Sequence, residues 1–186
     1  GSGNEAQTAC LRFQSIRVVG VDVNPDVLAF QLANGWPAGQ PLLCGALWNG
    51  RDASVEMSNS RSDLLHANVY HQEEHPDGLS DIALSQSPTL AWDQLDVEYG
   101  PFEDAVLWMD IEGSEPEALE GAAGLFRRRA VLVANLELMV REESRAWGAR
   151  RMAWVDQFMS DNGMVFVKDW NASDSCRDRV WMRGDK

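Results

Sequence analysis

The chain has 186 residues, of which 45% are apolar and eight are Trp, and its formal net charge is −13. This length and apolar content suit one domain with a sizeable core and argue against an intrinsically disordered chain. The acidic charge argues against nucleic acid as the main partner, because phosphate backbones are bound through Lys and Arg. No apolar run approaches the ~20 residues that a membrane-spanning helix needs.

The three cysteines, Cys10, Cys44 and Cys176, are far apart, odd in number and without a CxxC pair. This usage is typical of a reduced compartment and not of a secreted domain stabilised by disulfides. We therefore expect a cytoplasmic protein. The sequence leaves the oligomeric state open.

Short, β-branched apolar runs predict the strands of the first half of the chain. These strands are residues 16–22, residues 42–47 and, at a sheet edge, residues 52–57. Asn24 and Pro25 predict the start of a helix through about Ala33, because Asn caps helices and Pro suits their first turn. Residues 4–14 also have helix-forming composition.

Residues 58–88 are polar and weakly patterned, so they predict a long loop. The second half alternates between helical and strand periodicity. The elements predicted there are a helical turn at 90–95, strands at 106–110 and 130–139, helices at 115–129 and 141–161, and a closing antiparallel strand pair at 164–168 and 179–182. Trp147 and Trp154 recur at heptad spacing, which predicts that both belong to the core.

Strands that alternate with helices predict an α/β fold with a doubly wound, mostly parallel Rossmann-like sheet, here with an antiparallel terminal strand pair. We expect a single domain over residues 1–186. In such a sheet a central strand precedes the Gly-rich loop that binds the cofactor. We expect that strand to come from residues upstream of Gly1 or from another segment, because a gap would bury unpaired backbone groups.

Asp22 ends the first predicted strand, which is where doubly wound sheets place an acid that binds ribose hydroxyls. Such an acid follows a Gly-rich turn by about 20 residues, and Gly3 lies 19 residues before Asp22. Asp22 could equally serve as a cap or turn acid, and a terminal Gly-Ser-Gly is also a common cloning remnant. The residues predicted to bind the cofactor are Gly1, Gly3, Asn4, Asp22, Val23, Ala46 and Leu47.

The chain has neither a GxGxxG fingerprint nor a GxxxxGK[ST] phosphate loop. Both motifs cradle phosphate groups on backbone N–H groups. Their absence favours an adenosyl cofactor without a pyrophosphate.

The predicted strand 106–110 ends in Asp110, and Glu112 follows one residue later. Ligands bind outside the carboxyl ends of strands in open α/β sheets, so both carboxylates are placed near a ligand. Close carboxylates raise one another's pKa, which suits a group that accepts a proton from a hydroxyl. Asp110 and Glu112 are therefore the candidate catalytic residues. The alternative is that acids here, Glu115 among them, only complement the dipole of the following helix.

Residues 108–115, Trp-Met-Asp-Ile-Glu-Gly-Ser-Glu, and then Leu119-Glu120-Gly121-Ala122 resemble the late motif of the FkbM-type methyltransferases. That motif runs Lys-Ile-Asp-Val-Glu-Gly-Ala-Glu and continues into a helix with Leu-x-Gly-Ala. Residues 22–25, Asp-Val-Asn-Pro, are similar to the family's Glu-Pro-Asn-Pro. The resemblance spans most of residues 3–140, and the late motif is its most specific part.

The resemblance implies a methyltransferase that uses S-adenosyl-L-methionine and methylates a hydroxyl on a small molecule or glycan. It also implies that Glu137 matches the Glu that ends the family's next strand. Two positions depart from the family: Trp108 stands in place of Lys, and Ala6 in place of a loop Gly. Two alternatives therefore stay open, a non-catalytic binding or assembly protein on the same scaffold and a dinucleotide-dependent oxidoreductase.

All three histidines, His66, His71 and His75, lie in the polar segment between the two halves of the predicted site. His71 and His75 have the i, i+4 spacing of a helical metal pair, but Pro76 and Gly78 shorten any helix there. We expect a solvated loop and no metal site. The residues predicted to contact the acceptor are Glu115, Glu137 and His71.

Overall fold

The computed structural model describes residues 16–59, 67–69, 83–139, 145–170 and 176–185. The helices of these ranges are α1 (Pro25–Ala33), α2 (Trp92–Tyr99), α3 (Glu115–Glu120), α4 (Ala123–Arg127) and α5 (Arg145–Asp161). The strands are β1 (Gly20–Asp22), β2 (Leu42–Cys44), β3 (Ala46–Leu47), β4 (Ser54–Asn59), β5 (Ala67–Val69), β6 (Ala83–Leu90), β7 (Ala105–Met109), β8 (Val131–Met139), β9 (Met164–Trp170) and β10 (Cys176–Arg183). None of these helices is long and apolar enough to cross a membrane.

The described strands form three sheets, with the orders β1-β2, β7-β8-β10-β9 and β3-β6-β4-β5. The pairs β1–β2, β3–β6 and β7–β8 are parallel. The other pairs, β8–β10, β9–β10, β4–β5 and β4–β6, are antiparallel. The protein is therefore mixed α/β, as predicted, and the antiparallel terminal pair is confirmed. The described strands do not confirm the expected doubly wound, mostly parallel sheet, because they lie in three sheets with both parallel and antiparallel pairs.

The main core lies between one face of the β7-β8-β10-β9 sheet and helices α2 to α5. Leu107 and Met109 of β7 and Leu136 of β8 are at most 4% exposed on this face. They belong to one cluster of buried residues with Leu119, Phe126, Val155 and Met159 from the helices. Burying side chains of this size stabilises the fold by about 1.5–3 kcal/mol each.

Helix α5 presents a buried stripe to this core, as its periodicity predicts. Trp147 is 6% exposed, which confirms its predicted place in the core. Trp154 is 37% exposed, so the core prediction is wrong for that residue. Its ring stacks on Phe158 with the centroids 5.2 Å apart. In a straight α-helix, seven residues fall about 20° short of two full turns. Trp154 therefore does not lie directly in line with Trp147.

The opposite face of the same sheet also carries apolar side chains. Val106, Trp108, Val165 and Met182 are between 45% and 57% exposed. In β7, Val106 and Trp108 alternate with the buried Leu107 and Met109, as the pleat requires. Apolar side chains on this face are therefore not covered by other described residues.

The small β1-β2 sheet is joined to the same core. Val19, Val21 and Leu43 pack against the cluster that contains Leu107 and Met109. The carboxyl end of β1 leads into α1, which begins as predicted: the Asn24 side chain accepts a hydrogen bond from the Asp26 N–H at 2.9 Å, and Pro25 is in the first turn.

The predicted strand 42–47 is divided at Gly45 into β2 and β3, which belong to different sheets. The Gly45 N–H donates to the Asp22 carbonyl at 3.0 Å. A Cβ at this position would meet the Leu90 side chain and the Pro88 carbonyl at 3.0 Å. Glycine therefore permits the close approach at which the chain leaves one sheet for the other.

Two further predictions for the first half are corrected. The strand predicted at the edge, now β4, lies between β6 and β5. The long loop predicted for residues 58–88 contains β5 and most of β6 in its described parts. Polar residues occur in these strands because one face of an antiparallel sheet can be solvated, which weakens the apolar signal.

The single helix predicted at 115–129 is instead two short helices, α3 and α4, separated at Gly121 and Ala122. The break has a tertiary cause. The Gly121 carbonyl accepts from the Asp93 N–H at 2.8 Å, and the Asp93 carboxylate accepts from the N–H groups of Gly124 (2.8 Å) and Leu125 (3.1 Å). An acid of α2 thus caps α4 and replaces the hydrogen bonds of a continuous helix.

We predict that Asp93→Ala lowers the free energy of unfolding by about 1–3 kcal/mol, because it leaves two N–H groups without their charged acceptor. Denaturant titration measures the change. Glu103→Ala is the matched control, since Glu103 is exposed and its removal changes the net charge equally. Equal midpoints for the two variants would show that Asp93 does not cap α4.

Candidate functional site

Carboxylates gather where three described strands end. Asp22 is the last residue of β1, Asp110 directly follows β7, and Glu137 lies near the end of β8. Met109 and Leu136 are partners in the β7–β8 register, so Asp110 and Glu137 are the next residues of the two strands. Asp110 and Glu137 are thus neighbours at this edge of the sheet, and the charge of Asp110 also acts on Asp22 of β1.

Asp22 is partly buried and already serves the turn that follows it. Its Oδ1 accepts a hydrogen bond from the Asn24 N–H at 2.8 Å. Burial raises the pKa of Asp22, and the nearby negative charge of Asp110 raises it further. Because each carboxylate oxygen has two acceptor positions, the turn contact leaves capacity for a ligand hydroxyl. The turn role is observed, and the ribose role stays a prediction.

Glu137 is the centre of the acidic group. Burial raises its pKa most, and contact with Asp110 and the charge of Asp178 raise it further, whereas a hydrogen bond with Cys176 lowers it. Asp178 is the direct cross-strand partner of Glu137. Directly opposed like charges are destabilising, so the position of Asp178 contributes to the raised pKa of Glu137.

The loop between β7 and α3 has an unusual backbone. Glu112 and Gly113 have φ values of 57° and 99°, in the left-handed region. Glu115, only 1% exposed, accepts hydrogen bonds through Oε1 from the N–H groups of Ile111 and Gly113, each at 3.3 Å. Burial raises the pKa of Glu115 to about 8.

Glu115 therefore does not face a substrate-sized space. The cavity beside it, lined by Gly113, Trp147, Arg151 and others, has a volume of ≈ 10 Å³. That is at the lower limit for a single water molecule. The prediction that Glu115 contacts the acceptor stays untested. Its Oε1 accepts hydrogen bonds from the loop backbone.

Aromatic side chains border the acids on the open face of the sheet. Trp108 and Trp170 pack edge to face with ring centroids 6.0 Å apart. Trp170 is the cross-strand partner of Asp178, and its indole N–H donates to Asn135 Oδ1 at 3.0 Å. A wall of two indoles thus lies next to the carboxylates, where the family motif has a Lys in place of Trp108.

Of the residues predicted to bind the cofactor, Ala46 and Leu47 are apolar and buried. Ala46 and Leu47 are 1% and 7% exposed. Val23 and Trp48 are partly buried and pack against the small cluster of Ala46, Val55 and Met57. The partly buried apolar surface around this cluster therefore comes from Val23 and Trp48, and the sequence did not single out Trp48.

Several predicted residues lie outside the described ranges: Gly1, Gly3 and Asn4 of the loop, and His66, His71 and His75. Within the described ranges, no group of three or more His, Cys, Asp or Glu side chains has the arrangement of a metal site.

Sequence reasoning missed Asp178, Cys176 and Arg151. The terminal strand was predicted to begin at Arg179, whereas β10 begins at Cys176. Extending the strand backwards by its alternation would have placed Asp178 on a sheet face, but only the register places it opposite Glu137. Arg151 donates from Nε to the Gly113 carbonyl at 2.8 Å, a contact between distant segments that leaves no local signal.

Comparison with protein-family models, with curated proteins and with solved structures found no match to this chain. The resemblance to FkbM-type methyltransferases therefore depends on the motif residues themselves.

We predict that Glu137→Gln stabilises the protein at pH 8 by up to about 1 kcal/mol, by removing repulsion between opposed carboxylates. A carboxyl whose pKa is raised by folding holds more protons folded than unfolded. The stability that the protonated Glu137 contributes is therefore complete at low pH and is lost as the pH rises and the carboxyl ionises. The gain should shrink as the pH is lowered to 4.

Denaturant titrations at several pH values measure this difference, with Glu103→Gln as the exposed control. A gain that is absent at pH 8, or that does not change with pH, would show that Glu137 experiences no such repulsion.

Proposed function

We propose that the protein is an S-adenosyl-L-methionine-dependent O-methyltransferase that acts on a hydroxyl of a small molecule or glycan. One observation carries the proposal: Asp22 of β1 and the Asp110 motif of β7 lie close enough for their charges to interact at the carboxyl ends of their strands. Ligands of open α/β sheets bind at that edge. The motif at residues 108–115 supplies the reaction class.

We infer further that β2-β1 and β7-β8-β10-β9 are parts of one doubly wound, Rossmann-like sheet. Both parts contribute to the same core. The pairs β1–β2 and β7–β8 are parallel, and the chain ends in the antiparallel β9–β10 pair. These features agree with the fold that the resemblance implies.

The described residues suit an adenosyl cofactor. The Asp22 carboxylate retains acceptor positions for ribose hydroxyls, and Val23 and Trp48 supply apolar surface for the adenine. The acids around Asp110 suit the positive charge of the sulfonium. When bound, the cofactor supplies an activated methyl group on a good leaving group.

The protein then has two tasks, to position the acceptor hydroxyl and to remove its proton. We propose that Asp110 lies beside the methyl donor and that Glu112 orients the acceptor or takes its proton. Glu137 shares a hydrogen bond with Asp110, and its raised pKa suits it to hold the proton that the hydroxyl loses. The indoles of Trp108 and Trp170 offer a flat apolar surface for the body of the acceptor.

A second candidate is a binding or assembly protein on the same scaffold. Trp108 favours it, because an exposed indole replaces the cation that the family motif has beside the carboxylates. Cofactor binding without methylation across a broad hydroxyl panel would support this candidate. An oxidoreductase would instead bind a nicotinamide dinucleotide more tightly than S-adenosylhomocysteine.

We predict that S-adenosylhomocysteine binds the protein and that Asp22→Ala weakens its affinity by about 10–100-fold. That range corresponds to the loss of a charged hydrogen bond, at about 1.5–3 kcal/mol. Isothermal titration calorimetry measures both affinities. Asp26→Ala removes an exposed acid four positions away and should bind like the parent. Absence of binding by a protein shown to be folded would overturn the cofactor assignment.

We predict that, if a single carboxylate is the general base, Asp110→Asn or Glu112→Gln slows methyl transfer by ~10²–10⁴-fold, the usual contribution of such a base. Glu112→Gln should change cofactor affinity far less than Asp22→Ala. The acceptor is first identified by mass spectrometry of a metabolite extract incubated with a labelled methyl donor.

Glu103→Gln is the control for this series. If both motif variants turn over within a few-fold of the parent, the assignment is wrong, and the base is to be sought among His66, His71 and His75.

A further inference from the structure

The loop that presents Asp110 and Glu112 has a backbone that needs outside support. Glu112 has a φ of 57° and the following Gly113 a φ of 99°. The left-handed region is ordinary for Gly, but it costs a residue with a side chain about 1–2 kcal/mol. Such a conformation persists only where surrounding contacts determine it.

The Glu115 carboxyl makes those contacts from inside the loop. Its Oε1 accepts from the Ile111 N–H and the Gly113 N–H, each at 3.3 Å. These N–H groups belong to the peptide groups that directly follow Asp110 and Glu112. One buried oxygen therefore holds the backbone on the carboxyl side of both candidate catalytic residues.

Arg151 of α5 holds the same loop from the other side. Its Nε donates to the Gly113 carbonyl at 2.8 Å, and its guanidinium forms an ion pair with Glu117. The guanidinium also lies over the Trp147 ring, 4.7 Å from the centroid. Gly113 is thus fixed at its N–H by Glu115 and at its carbonyl by Arg151.

We propose that Glu115 is a positioning residue, whose buried carboxyl sets the conformation of the 110–114 loop and through it the directions of Asp110 and Glu112. The loop part of this inference depends on the structure alone. The catalytic part rests on the proposed methyltransferase function. Glu115 is 1% exposed beside a cavity of ≈ 10 Å³, so the proposal gives it a role on the loop backbone and not on the acceptor.

The protonation of Glu115 provides a separate test. Its pKa is raised to about 8 by burial, while the charge of Arg151 partly opposes the shift. Among the described residues, Glu117 is the ion-pair partner of Arg151. Leu138, Trp147 and Met152 also line the cavity beside Glu115. Near neutral pH the carboxyl is mostly protonated, and its carbonyl oxygen still accepts both N–H groups. Gln has the same oxygen, but it does not titrate.

The test compares Glu115→Gln with Glu115→Met, which keeps an unbranched chain but has no oxygen. Amide hydrogen exchange of Ile111 and Gly113 is followed by NMR, with core amides of β8 as the reference. We expect Glu115→Gln to exchange like the parent and Glu115→Met to exchange at least about 10-fold faster at these two amides only. Glu120→Gln, a more exposed acid of α3, is the control.

The amide shifts of Ile111 and Gly113 should titrate near pH 8 in the parent and not in Glu115→Gln, which tests the proposal even if Glu115→Met fails to fold. In turnover assays, Glu115→Met should lower kcat by about 10–100-fold, as expected for misplacement of reacting groups. Affinity for S-adenosylhomocysteine should stay within a few-fold, and Glu115→Gln should restore most of the rate.

Unchanged exchange and turnover in Glu115→Met, or Ile111 and Gly113 amide shifts with the same pH dependence in the parent and in Glu115→Gln, would overturn the proposal. If the parent methylates nothing but Glu115→Met still loosens the two amides, the methyltransferase function has failed and the role of Glu115 in the loop stands.

Discussion

The parallel pairing of β7 with β8 places almost every residue of the candidate site. Its register sets Asp110 beside Glu137 at the carboxyl end and buries Leu107, Met109 and Leu136 on one face. β8 then pairs with β10, which brings Asp178 opposite Glu137. A shift of one residue would turn the acids to the core and the apolar side chains to solvent. The site and the core thus depend on the same hydrogen-bond ladder.

Around this pair the structure holds like charges close together. Asp22, Asp110, Glu137 and Asp178 meet at one edge, and the pKa values of Asp22 and Glu137 are raised. Such an arrangement opposes folding, and strained or repulsive groups of this kind concentrate where proteins bind or react. The apolar core beneath β7 and β8 offsets that cost, because it is formed by large side chains that are almost fully buried.

Three acids illustrate how position decides the role of a carboxyl. Glu112 lies on the loop in a left-handed conformation, while Glu115, three residues later, is inside and bonds to the loop backbone. Asp93 acts in the same way at α4, where its carboxylate accepts from the N–H groups of Gly124 and Leu125 at the start of the helix. In both cases a carboxyl that accepts hydrogen bonds from backbone N–H groups gives the chain a shape that local propensity does not favour.

Much of the architecture could be predicted from local patterns. Asn24 and Pro25 identify the start of α1, and Gly163, at a φ of 72°, the end of α5. The apolar runs identify β7 and β8, and the acid that directly follows β7 marks the site. These features can be predicted from the sequence because capping, left-handed turns and burial each favour particular residue types at given positions.

The features that could not be predicted all depend on partners distant in sequence. The break at Gly121 requires Asp93, the break at Gly45 requires the Asp22 carbonyl, and the interior position of β4 requires β5 and β6. Asp178 joins the site only through the β8–β10 register. The sequence by itself determined the mixed α/β class and the acids at the strand ends. The tertiary structure alone decided which acids meet and which one is buried, because register and hydrogen bonds between distant segments set those positions.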